Sequence, residues 1–134
     1  MARISTFMYC DNVQNQNNNM VVNSPMQIIT MNYIPGMFSF SVIFGVLDIN
    51  QYEDHRIRFV FKNEEEKVII DTGEVNLPKN PNVENIPVEI QGFMASMDFR
   101  NTNFDSEGTY RSEIYIDGDS LGQFPIKVVV TKNE

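Results

Sequence analysis

At 134 residues the chain has the length of one domain, residues 1–134, and a chain of this size buries roughly two-thirds of its unfolded surface without help from a disulfide or metal. Cys10 is the single cysteine, so no intrachain disulfide exists. Eighteen acidic residues against ten basic ones give a formal charge of −8, which argues against direct binding of nucleic acid through its phosphates.

The opening "MARISTFMYC" has one arginine and no apolar run suited to a secretory signal. No stretch approaches the roughly 18 apolar residues of a membrane span, so a soluble, cytoplasmic protein is expected. Helical periodicity is nearly absent, and alternation with a period of two recurs between turn residues.

Arg3 to Cys10 reads as the first strand, with Ile4, Thr6 and Met8 on one face. "DNVQNQNNN" follows, and its asparagines favour a loop or wide hairpin connection. "MVVNSPMQIIT" reads as a strand interrupted at Pro25, which has no N–H to give a central ladder. Pro35-Gly36 marks a turn. The strongest strand comes next: Phe38, Phe40, Val42, Phe44 and Val46 form a large apolar face, backed by Ser39, Ser41, Ile43, Gly45 and Leu47.

"HRIRFVFK" alternates with Ile57, Phe59 and Phe61 inward. Lys67 to Val75 forms a strand with Val68 and Ile70 inward and a kink at Thr72-Gly73. "NLPKNPNVEN" is a loop, and "IPVEIQGFMASMDF" resumes the strand pattern. Its phase changes at Gly92, as at a β-bulge: Val88 and Ile90 precede it, while Phe93, Ala95, Met97 and Phe99 follow. Tyr110, Ser112, Ile114 and Ile116 share a face of the penultimate strand, and Asp117-Gly118 turns it into a last strand carrying Phe124, Ile126, Val128 and Val130. The fold class expected is all-β, an immunoglobulin-like antiparallel β-sandwich of about seven to nine strands.

"DSEGTY" sets Asp105, Gly108 and Tyr110 where such a sandwich places its corner. The glycine permits positive φ, the tyrosine ring enters the core, its hydroxyl reaches upstream backbone, and Asp105 can cap nearby N–H groups. The rival reading is a calcium site of Asp105, Glu107, Asp117 and Asp119, but their spacing does not match an EF-hand loop.

The order of these features resembles a short bacterial family of unknown function. Cys10-Asp11 ends the first strand, Phe38 to Val46 is the aromatic strand, and His55 to Phe61 has a basic start. Gly108 to Tyr110, Asp117-Gly118 and Pro125 to Val130 complete a likeness over nearly the whole chain. The resemblance implies an immunoglobulin-like sandwich and no reaction. The asparagine-rich "NQNNN" and Pro25 depart from the family's pattern, where a short hairpin turn is usual.

Chemistry has few footholds. His55 is the lone histidine, expected on the surface of its strand, and Cys10 is expected to be buried and inert. One histidine and one cysteine do not build a common zinc site. No phosphate-cradling or nucleophile-elbow motif occurs, and Glu64, Glu65 and Glu66 read as a solvated turn. We therefore expect no catalytic residue, metal or cofactor, and a non-enzymatic module that binds a protein partner or itself through strand edges or a sheet face. Ile43, Leu47, Val60 and Tyr115, apolar residues on second faces, form the expected interaction surface. The alternative is an acidic inhibitor from a phage or other mobile element that mimics nucleic acid and blocks a DNA- or RNA-binding protein.

Overall fold

The computed structural model describes residues 2–131. Ten strands occupy these residues: β1 (Arg3–Gln16), β2 (Asn19–Met26), β3 (Ile28–Met31), β4 (Gly36–Leu47), β5 (His55–Lys62), β6 (Val68–Asp71), β7 (Val75–Leu77), β8 (Gly92–Phe104), β9 (Gly108–Ile116) and β10 (Asp119–Val130). One sheet has the order β2-β1-β4-β8, and the other runs β3-β10-β9-β5-β6, with β7 also paired to β5. The first sheet is antiparallel throughout and the second is mixed. All pairings are antiparallel except that of β3 with β10, which is parallel and corrects the all-antiparallel expectation. The parallel pair arises because the chain leaves the first sheet at Pro25 and Met26 and crosses at Gln27 to the second.

Between the sheets lies an aromatic core. Phe40, Val42, Phe44 and Val46 of β4 are buried, and they meet Phe59 and Phe61 of β5 and Tyr110, Ile114 and Ile116 of β9. Phe40 sits at the centre of the ring cluster, 5.4 Å from Phe61 and 5.5 Å from Phe99 between centroids. Its strand alternates as its sequence does, with one face large and apolar.

Several expected phases shift. The asparagine segment continues the ladder to Gln16 and turns in two residues, Asn17 and Asn18, at φ 50° and 65°. Asparagine tolerates this left-handed backbone, which a tight hairpin needs. In β1 the register slips between Ile4 and Thr6, so Phe7 and Tyr9 face the core and Thr6 and Met8 face out. Val68 is exposed, while Ile69 and Ile70 are half-buried. Val88 and Ile90 are not in a strand: Val88–Ile90 is a 3-10 turn, and β8 begins at Gly92. The bulge in β8 lies later, where Asn101 takes φ 53° opposite Ser39 and its N–H donates to the Ser39 hydroxyl.

Candidate interaction edges

Tyr110 is buried, and its hydroxyl donates to the Ser106 carbonyl at 2.7 Å. Gly108 has φ 142°, a backbone conformation that side chains rarely adopt, and a Cβ there would also press to 3.0 Å from the Glu64 carboxylate. Asp105 does not cap the turn; its carboxylate lies 3.7 Å from the Lys67 ammonium. Glu107 supplies the nearby cap, accepting from the Val130 N–H at 2.7 Å. Among the described residues no group of three or more histidines, cysteines or acids is gathered to hold a metal.

Cys10 is fully buried on the outer side of the first sheet, and its Sγ donates to the Ser41 carbonyl. Burial pushes its thiol pKa up, and the carboxylates of Asp98 and Asp11 push the same way. It does not meet His55, which starts β5 in the other sheet.

His55 departs from the surface expectation. Its side chain is only 11% exposed, with Nδ1 2.6 Å from Asp117 Oδ2 and Nε2 2.6 Å from the Asn50 carbonyl. Both neighbours are acceptors, so the ring satisfies both by carrying two protons. Burial opposes that charge, but the Asp117 bond, the Asn50 carbonyl and the charges of Asp117 and Glu53 outweigh it and raise the His55 pKa above 6.5. Asp117 also accepts from the Arg56 N–H at 2.8 Å, which ties the β9–β10 turn to β5.

A raised folded pKa means that His55 stabilises fully below its unfolded value, near 6.5, and that this contribution is lost as pH rises through the folded value. Urea unfolding between pH 6 and 9 is expected to give falling stability for the natural chain and a flatter profile for His55→Gln. Equal slopes would show that folding does not raise the His55 pKa and that the ring carries only one proton.

The residues expected to form a surface are mostly covered. Ile43 is 5% exposed and Val60 3%, so neither offers contact area, and Leu47 and Tyr115 are half-buried. Ile43 lies in register between Met8 and Ser96. Over Val60 stands a polar lattice. Arg58 holds Asp71 through two hydrogen bonds and lies 5.6 Å from the Tyr115 ring, whose hydroxyl donates to Glu113 at 2.8 Å. Long side chains of this kind cover apolar surface with their stems.

The strand edges differ in how they are protected. β2 carries Pro25 and, at Ser24, a φ of 54°. The free part of β10 carries Pro125 and a register shift between Ser120 and Gln123, and β1, free on its β2 side over residues 3–8, has its shift at Ile4 to Thr6, while its other free run, residues 11–16, is mostly polar. Between the free part of β10 and residues 3–8 of β1 lies an apolar groove of about 950 Å³ lined by Phe7, Met8, Pro25, Ile28, Phe124 and Pro125. β3 and β6 are four residues long and β7 three. Prolines, bulges and shortness are devices that keep edges from pairing.

β8 lacks them over Gly92–Arg100. It lies at the end of its sheet with β4 on one side and, among the described residues, no strand on the other; its register with β4 runs unbroken from Gly92 to Phe99, and the stretch holds no proline. Next to it, the Asp48 N–H donates to the Gln91 carbonyl at 3.1 Å. Antiparallel alternation from that pair turns the N–H and C=O of Met94, Ser96 and Asp98 toward the open side. Sequence reasoning found this strand but missed its position. The signal was the proline-broken segment before it, which supplies turns where a neighbouring strand would otherwise form.

A family model described as "Family of unknown function (DUF6941)" matches residues 5–129. The chain belongs to this family. No curated protein matches the DUF6941 chain by sequence. Among solved structures it is similar to the Pseudomonas fluorescens alkylpurine DNA glycosylase AlkC bound to DNA containing an abasic site analog, with TM-score 0.56, 8% identity and coverage of 96% of this chain and 30% of the glycosylase. It is also similar to the C-terminal domain of wzt, with TM-score 0.52, 12% identity and coverage of 99% of this chain and 75% of that one. At these identities the likeness is one of all-β fold alone. The DUF6941 chain spans under a third of the glycosylase's length. Among the described residues no helix is long and apolar enough to cross a membrane.

Proposed function

We propose that the chain is an immunoglobulin-like sandwich that works in the cytoplasm as a non-enzymatic protein-interaction module, joining a protein through a strand edge. The observation that carries this reading is the unprotected run Gly92–Arg100 of β8, whose outward backbone groups have no strand to bond. The strand order supports the immunoglobulin-like part. β9 lies between β5 and β10, as F lies between C and G in such domains, and β4 lies beside β8 as B lies beside E. The place that D takes beside E in that scheme is empty. β1, inserted between β2 and β4, is this chain's addition.

Capture of the tagged chain from its host tests the module. The expected result is a protein in one-to-one stoichiometry, another species or an untagged copy, that is lost on Ser96→Pro. That change removes an outward N–H at an edge position where proline is tolerated. Capture of nothing, or equal capture by the folded variant, would overturn it. The acidic-mimic alternative asks for carboxylates massed on one face. Ion pairs of Arg3 with Asp48, Arg56 with Glu74, Arg58 with Asp71 and Arg111 with Glu66 interleave the signs instead.

A further inference from the structure

We infer that the occupant of this edge is a second copy of the chain, with β8 pairing antiparallel to β8 of the partner about a twofold axis at Ser96. The inference rests on the reading of the chain as an edge-pairing module and adds the partner and the register. A twofold contact uses one patch on both copies, so the patch has to complement itself.

β8 does so in three ways. First, Met94, Ser96 and Asp98 direct their backbone groups outward, and a rotation about Ser96 sets Met94 against the partner's Asp98 and Ser96 against the partner's Ser96. Each outward residue then meets another outward residue, which is what an antiparallel hydrogen-bonded pair requires. Second, the strip is electrically balanced. A chain of charge −8 repels its copies on approach, whereas Gly92–Arg100 holds one aspartate and one arginine. Centring the axis on Asp98 would set two carboxylates face to face, which is unfavourable across a ladder; centring it on Ser96 sets no like charges opposite.

Third, the strip has apolar area left to cover. Phe93, Ala95, Met97 and Phe99 face the core yet stay half-buried, and Met94 is 47% exposed on the other side. Room exists too. Past Met97 the strand borders a groove of about 540 Å³ whose far wall is Lys67 to Ile70, and the start of the partner's β8 would enter there. The paired sheets would then form one continuous sheet through both copies.

Sedimentation equilibrium over a concentration series tests the pairing, with three variants at the exposed Ser96. The natural chain is expected to be dimeric and Ser96→Pro monomeric. Ser96→Lys and Ser96→Glu each place like charges opposite at the axis, while their equimolar mixture places opposite ones. The mixture is expected to dimerise roughly fivefold more tightly than either variant alone. The side chain points into water, so Lys and Glu leave folding intact, which circular dichroism checks.

A monomeric natural chain, or a mixture no tighter than its components, would overturn self-pairing. A monomeric natural chain that still captures a host protein, lost on Ser96→Pro, would sink the second-copy inference and leave the module standing. A monomer that captures nothing would sink both.

Discussion

Phe40→Ala is expected to cost about 3–5 kcal/mol of stability, read as a lower urea midpoint with an unchanged denaturant slope. Phe40 is buried, and the rings of Tyr9, Phe61, Phe99 and Phe104 surround it. Truncation leaves a void that those rings cannot all fill, since they belong to β1, β5 and β8, whose backbones the ladders fix. A cost under about 1 kcal/mol would mean that the sheets close over the gap.

Tyr9→Phe is the second large expectation, about 1–3 kcal/mol, from the loss of one oxygen. Tyr9 belongs to the first sheet, but its hydroxyl donates to the Phe124 carbonyl at 2.6 Å and accepts from the Ser112 hydroxyl at 2.5 Å, both in the second. Ser112 is fully buried, so removal of the oxygen leaves its hydroxyl without that partner and away from water. Burial also drives the Tyr9 phenol well above its ordinary pKa, against the pull of its bond with Ser112. The contact is therefore a neutral cross-sheet hydrogen bond throughout the working pH range. A cost under about 0.5 kcal/mol in the same urea experiment would contradict this account, because water would then have to reach Ser112.

Where the amino-acid pattern is strongest, it and the fold agree. Phe40, Val42, Phe44 and Val46 face the core because a strict alternation of large apolar residues leaves a buried strand one phase. Tyr110, Ser112, Ile114 and Ile116 do the same. In β1 the pattern misleads, since the bulge after Ile4 exchanges the two faces, and no residue there marks it as a glycine would. Val88 and Ile90 fit a strand by composition, yet Pro87 opens a 3-10 turn at that point and both side chains are exposed.

The candidate edge was the least legible. Which side of β8 lacks a neighbour depends on how the segment from Pro78 to Gln91 runs, a long-range matter that alternation does not encode. Ile43 and Val60 failed as surface residues for a related reason: outward-facing positions on a central strand are still covered by longer neighbours. The His55 contact pairs residues 55 and 117, and nothing local to either announces it.

The parallel seam between β3 and β10 has a consequence for how the chain is made. Ile28 to Met31 must wait for Lys127 to Val130, about a hundred positions downstream, before they find a ladder partner. β10 is also the element that joins β3 to β9. Synthesis must therefore run through Val130 before the second layer can be completed, and until then the finished β1–β4 ladder lacks part of the layer that covers its aromatic side.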